Sequence, residues 1–98
     1  MGVELSPREG ELYKRCDEIL HYIWDPIGVA GETGARDEYR PYLPEVFALV
    51  RDNAEPGRIA AYLAGIEVER MGLRVDSERD RAVVRLLLEW REFIWENI

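Results

Sequence analysis

The segment 6–28, SPREGELYKRCDEILHYIWDPIG, contains one helix whose two ends are both marked. Ser6 is a favourable N-cap, Pro7 suits the first helical position, and Glu9 can reach back to complete a capping box. Proline at position 26 forces its predecessor out of helical backbone, so we expect the helix to end at Asp25. Between these ends the apolar residues recur every three or four positions and share one face: Leu12, Cys16, Ile19, Leu20 and Ile23.

Three further segments show the same helical spacing, and short runs rich in Gly, Pro or Asp separate them. We expect them over about 41–53, from 56 to just before Gly72, and from a cap at Asp76 or Ser77 nearly to residue 98. No stretch alternates as a strand does. The sequence therefore predicts an all-α fold, a small four-helix domain over residues 1–98 with a long glycine-containing loop between helices 1 and 2.

The composition excludes several classes of protein. Acidic residues outnumber basic ones by 20 to 13 in 98 residues, giving a net charge of -7, which argues against nucleic acid as a partner. The N-terminus shows no signal peptide, and no run of about eighteen apolar residues could span a membrane. A single cysteine, Cys16, forms no internal disulfide. We therefore expect a cytoplasmic protein that binds neither nucleic acid nor membranes.

The Trp-Asp-Pro-Ile-Gly segment has the residue pattern of a type I turn, with Asp25 first, Pro26 second and Gly28 fourth. The Asp25 carboxylate can accept hydrogen bonds from the backbone of Ile27 or Gly28 and so stabilise the end of the helix. Trp24 can anchor the loop against the core, and its indole N–H needs a partner that a loop carbonyl or carboxylate could supply.

The loop from about 25 to 40 allows two interpretations. In the structural one, the turn and the following Asp37, Glu38 and Tyr39 only redirect the chain. In the functional one, the same residues and Gly28 form a recognition surface, because long loops on a rigid scaffold often carry binding sites.

His21, the only histidine, lies between Asp17 and Asp25 at helical spacings of four, so the three residues share a helix face. A divalent metal could use such ligands. The outer two lie about 12 Å apart along a straight helix, so they cannot reach one ion without another element, such as one carrying Asp37 or Glu38. A solvated charged face is the alternative, and the sequence predicts no cofactor.

Helix 4 carries more apolar residues than one face needs. Its main stripe is predicted to enter the core: Val83, Leu86, Leu87, Trp90, Phe93 and Ile94. Four apolar residues fall off that stripe, namely Val84, Leu88, Trp95 and Ile98. They predict either a second subunit against this face, giving a homodimer through helix 4, or a central helix surrounded by the other three.

The side chains used in covalent catalysis are scarce, with two Ser, one Thr, two Asn and no Gln. We therefore expect no enzyme. The residues favour a small acidic module that binds another protein, a class that includes toxin-neutralising immunity proteins, because opposite charge speeds encounter with a basic partner. The alternatives are a metal-dependent enzyme or small-ligand binder using His21 with neighbouring carboxylates, and a purely structural or accessory role.

The segments Trp24–Gly28 and Asp37–Tyr39 resemble the YugE-like family of small all-helical bacterial domains. In that family a helix ends in a W-D-P-x-G turn, and a tyrosine precedes the second helix. The resemblance covers about residues 10–72. The glycine-containing insert before Tyr39 is longer in this chain than is expected of the family. It implies helices and a bacterial cytoplasm. It implies no activity, because the family has no established one.

Overall fold

The four helices that the periodicity predicts are present in the computed structural model, which describes residues 4–98. They are α1 (Pro7–Ile19), α2 (Leu43–Arg51), α3 (Pro56–Gly65) and α4 (Ser77–Asn97). Within 4–98 there is no strand, so the predicted all-α fold is confirmed. The first three residues, with which the expectation of no signal peptide begins, lie outside the described part of the chain.

Helix α1 begins as its sequence predicts. The Glu9 backbone N–H donates to Ser6 Oγ at 3.2 Å, and the Ser6 N–H donates to Glu9 Oε1 at 2.9 Å, which completes the capping box. Beyond Ile19 the backbone widens into a π-helical turn, Leu20–Trp24. It closes with a hydrogen bond from the Asp25 N–H to the Leu20 carbonyl at 3.1 Å, and Asp25 has the left-handed φ of 33°.

The π-helical turn changes which side chains enter the core. Such a turn has an extra residue in each hydrogen-bonded loop, so the side chains after it are rotated from their α-helical positions. His21 and Trp24 are buried, whereas Ile23 is 51% exposed. The prediction that Ile23 belongs to the buried face of helix 1 is therefore wrong, because it assumed a regular α-helix up to Asp25.

Helix α3 ends in the same way as α1. It continues into a second π-helical turn, Ile66–Arg70, which closes with a bond from the Met71 N–H to the Ile66 carbonyl at 3.1 Å. Gly72 follows with a φ of +66°, a conformation that costs glycine little. Helices α1 and α3, which both pack against α4, thus each continue into a π-helical turn.

The loop between α1 and α2 contains two short 3₁₀ segments, Thr33–Ala35 and Arg40–Tyr42. The sequence predicts that helix α2 begins near Pro41, but the helix begins at Leu43. Pro41 and Pro44 have no backbone N–H to donate, and an α-helix tolerates such a residue only in its first turn, so the helix begins late enough to place Pro44 there.

Helix α4 packs against both α1 and α3 and forms the centre of the core. Its deepest side chains are Val83, Val84, Leu87 and Ile94. The predicted stripe is partly wrong: Leu86 and Trp90 are half-buried and Phe93 is 55% exposed, whereas Val84 is only 2% exposed. Because α4 lies between two helices, its buried arc is shifted toward the α3 side. No helix in the described range is long and apolar enough to cross a membrane.

Candidate functional site

Trp24 is fully buried, and its single indole N–H contacts two carboxyl groups. Its Nε1 donates to Glu67 Oε2 at 2.8 Å and to Asp80 Oδ1 at 3.1 Å. Glu67 lies in the π-helical turn after α3, and Asp80 lies in the first turns of α4. The predicted acceptor for the indole is therefore a pair of carboxyl groups, and one side chain joins the end of α1 to two distant segments.

The two carboxyl groups are buried with few donors. Glu67 Oε1 accepts from the Asp76 backbone N–H at 3.2 Å, and Arg79 Nη2 lies 3.8 Å from Glu67 Oε2. Asp80 Oδ2 is buried and has no hydrogen-bond partner among residues 4–98. Burial and the neighbouring carboxyl group of Glu67 raise the pKa of Asp80 to about 7. Asp80 therefore keeps its proton up to about neutral pH.

The Asp25 carboxylate organises the turn that follows α1. It accepts hydrogen bonds from the Tyr39 hydroxyl at 2.6 Å and from the backbone N–H groups of Val29 at 2.7 Å and Ala30 at 3.0 Å. The predicted donors, Ile27 and Gly28, are wrong for this carboxylate. The Gly28 N–H instead donates to the Asp25 carbonyl at 3.2 Å, which closes the predicted β-turn.

These bonds also determine the charge states of Asp25 and Tyr39. Burial acts to raise the pKa of Asp25, but the bonds from Tyr39, Val29 and Ala30 outweigh it and lower that pKa overall. Burial and the bond to Asp25 raise the pKa of Tyr39. Asp25 is therefore an ionised acceptor and Tyr39 a neutral donor at neutral pH.

The three weak metal-ligand candidates have separate surroundings. Asp17 forms a bidentate ion pair with Arg36, at 3.0 and 2.9 Å. His21 is buried, its Nδ1 has no hydrogen-bond partner among residues 4–98, and its ring packs edge-on against that of Tyr22, with 4.5 Å between the ring centroids. Asp25 holds the turn described above. Over residues 4–98 no group of three or more His, Cys, Asp or Glu side chains is placed to hold a metal ion.

The remaining motif residues divide between interior and surface. Tyr39 is buried beside Trp24, with 5.4 Å between the ring centroids, and Pro26 is half-buried. Gly28, Asp37 and Glu38 are exposed. The tryptophan and tyrosine of the motif thus build the fold, and its glycine and acidic pair face solvent.

A surface that the sequence analysis missed lies between the end of α1 and one side of α4. Tyr22 and Phe93 are 57% and 55% exposed, and they flank the half-buried Trp90, whose ring lies 5.8 Å from that of Phe93. We call this surface the aromatic patch and define it as Tyr22, Ile23, Leu86, Trp90 and Phe93, which line two adjoining shallow cavities. Only the π-helical turn exposes Tyr22 and Ile23 together, and helical spacing does not predict that turn.

The four residues predicted as a dimer face do not form one surface. Val84 belongs to the core, and Leu88 and Trp95 are half-buried, while Ile98 is 56% exposed. Two guanidinium groups lie over the Trp95 ring. The distance from the guanidinium carbon to the ring centroid is 5.0 Å for Arg8 and 4.6 Å for Arg91. Val84 and Leu88 line a groove beside α3.

Replacing Asp25 with alanine is expected to lower the free energy of unfolding by about 2 kcal/mol, because two backbone N–H groups and the Tyr39 hydroxyl lose a charged acceptor. Asp37→Ala is the matched control, since this neighbouring acid is exposed and its side chain forms no bond in the described part of the chain; its effect should stay below about 0.5 kcal/mol. Urea unfolding followed by circular dichroism measures both, and equal effects would contradict this role for Asp25.

The contribution of Asp80 to the stability of the chain should fall as the pH rises from about 4 to 7. Folded Asp80 keeps its proton up to about pH 7, whereas its ordinary pKa is 3.8, so folding takes up a proton between these values. The free energy of unfolding therefore decreases through this window, by at most about 1.4 kcal/mol per pH unit. Urea unfolding at several pH values measures the slope.

Asp80→Asn should flatten this pH dependence, because the amide cannot titrate. Asp37→Asn, the same change on the surface, should leave the wild-type slope intact. Parallel wild-type and Asp80→Asn curves would show that Asp80 has no raised pKa in the folded chain.

Comparison of the chain with protein-family models, with curated proteins and with solved structures gives no match. The resemblance of Trp24–Gly28 and Asp37–Tyr39 to the YugE-like family therefore stays a prediction. The candidate site therefore has two parts. One is the buried cluster of Trp24, Glu67 and Asp80, which joins α1, α3 and α4, and the other is the neighbouring aromatic patch at the surface.

Proposed function

We propose that this chain is a non-catalytic protein-binding module that contacts its partner through the aromatic patch. The observation that carries the proposal is the exposure of Tyr22, Ile23 and Phe93 in one place, around the half-buried Trp90. Monomeric proteins seldom leave large contiguous apolar areas in water unless a partner covers them. Tyrosine and tryptophan are also the residues that most often dominate the binding energy of protein interfaces.

The charges around the patch indicate the chemistry of the partner. The two basic residues at its edge already have acidic partners: Arg15 pairs with Glu18 at 3.0 Å, and Arg36 pairs with Asp17 at 2.9 Å. Asp37 and Glu38, which follow Arg36 in the chain, are exposed and form no ion pair within 4–98. Glu89, which lines the patch with Trp90 and Phe93, is also exposed and forms no ion pair within 4–98, so the uncompensated charge at the patch is acidic.

The partner that fits this surface is a protein with an apolar area bordered by lysine and arginine. The net charge of -7 supports the same class, because opposite charges speed the encounter and orient the two surfaces. A basic nuclease toxin has this chemistry, and an immunity-like role is the form of the proposal that we favour. The buried free thiol of Cys16 fits a reducing compartment such as the cytoplasm.

Quantitative affinity capture from the source cells tests the proposal, with the wild-type chain and Phe93→Arg as baits. Phe93 is 55% exposed, so the variant should fold, and circular dichroism checks this. We expect a basic protein that the wild type retains and Phe93→Arg loses, and that high salt also releases. With the purified partner, Phe93→Arg should raise Kd at least about tenfold, or about 1.4 kcal/mol.

Val68→Arg is the matched control, because Val68 is 49% exposed and lies outside the patch. It adds the same charge and should leave partner binding unchanged. The proposal is wrong if no protein distinguishes Phe93→Arg from Val68→Arg, or if both variants weaken binding equally.

A further inference from the structure

A second surface lies on another side of α4, and Glu89 lies at the border between it and the aromatic patch. The second surface is a groove of about 720 Å³ between α3 and α4. Its floor is apolar and includes Ala60 from α3 with Val84 and Leu88 from α4. Pro56 and Gly57 line the groove at the start of α3. Because neither has a long side chain and the space around Gly57 is open, the backbone of another helix can approach closely there.

The charged side chains along this groove are arranged by sign. Arg81 and Arg85 line one end, and Glu89 and Glu92 line the other, all four on α4. All four are exposed, and none forms an ion pair or a side-chain hydrogen bond within the described residues. The groove thus has a basic end and an acidic end, and neither has an ion-pair partner in the described part of the chain.

We infer that the groove binds α4 of a second copy of this chain, in an antiparallel homodimer. A two-fold axis through the middle of the 81–92 stretch places Arg81 opposite Glu92 of the second copy and Arg85 beside its Glu89. The two Leu88 side chains then meet near the axis over the apolar floor. Parallel pairing would instead bring like charges together.

This charge pattern selects a second copy over other occupants of the groove. A small anion would be attracted to Arg81 and Arg85 but repelled at the other end by Glu89 and Glu92. A helix with the reverse order of charges satisfies both ends, and α4 itself is such a helix when turned around. Repulsion between two copies of charge -7 is long-range and is screened at physiological salt, whereas ion pairs in contact are screened less.

The homodimer leaves the aromatic patch open. Leu86, Trp90 and Phe93 line the patch and not the groove, whereas Glu89 at the border lines both. One dimer therefore carries two patches, and it can bind two copies of a partner or a partner that is itself dimeric. Dimer formation does not depend on the proposed partner.

Sedimentation velocity on the whole chain, from about 1 to 500 µM at physiological salt, tests the inference. The wild type should shift with concentration from 11.4 kDa toward twice that mass. R81E/R85E and E89R/E92R should each raise the dimer Kd at least about tenfold, because each gives the groove a single sign of charge. An equimolar mixture of the two variants should dimerise again, since their charges are then complementary.

The matched control is R70E/R74E, which makes the same change in net charge at two exposed arginines away from the groove. It should retain the wild-type Kd, and Phe93→Arg should retain it as well. A wild type that stays monomeric throughout, or mixed variants that fail to associate, would overturn the inference. Loss of the dimer with Phe93→Arg would overturn it too, by assigning dimerisation to the aromatic patch.

Discussion

The buried hydrogen bonds from the indole of Trp24 to Glu67 and Asp80 are the constraint on which the rest of the structure depends. Carboxyl groups are costly to bury in an apolar core without hydrogen-bond donors, so the cluster needs the indole N–H, and Asp80 keeps its proton up to about pH 7. Both π-helical turns serve this geometry, because one carries Trp24 into the core and the other carries Glu67 toward it. The cluster joins the ends of α1 and α3 to the start of α4. Because Asp80 titrates near neutral pH, the free energy of unfolding then depends on pH.

The same π-helical turn connects the interior to the proposed binding surface. Rotation of the chain after Leu20 buries Trp24 and brings Tyr22 and Ile23 out to solvent. There they meet the side chains of α4 that the core does not use. The W-D-P-x-G segment is thus structural in its own contacts, yet the turn that carries it determines which aromatic residues are exposed to solvent. Glu89 of α4 gives the proposed surface an acidic border.

Helix α4 has three faces with different roles. Val83, Leu87 and Ile94 fill the core, the aromatic patch includes a second face, and the charged groove occupies a third. A helix packed between two others can keep two surfaces free, and this explains the excess of apolar residues in its sequence. With separate faces, the proposed partner binding and the proposed self-association do not compete for the same side chains of α4, apart from Glu89 at their border.

The sequence by itself determined the fold class, the capping box at Ser6, and the positions Asp25 and Gly72 at which the chain has left helical backbone, because each depends on neighbouring residues and backbone sterics. It also indicated that the indole N–H of Trp24 needs a hydrogen-bond acceptor. Only the tertiary structure decided that this acceptor is Glu67 with Asp80, which lie 43 and 56 positions away in the chain. It alone decided as well which side of α4 is buried, since that depends on where α1 and α3 pack. Local spacing contains no information on either point, because contacts between distant segments follow from how whole helices fit together.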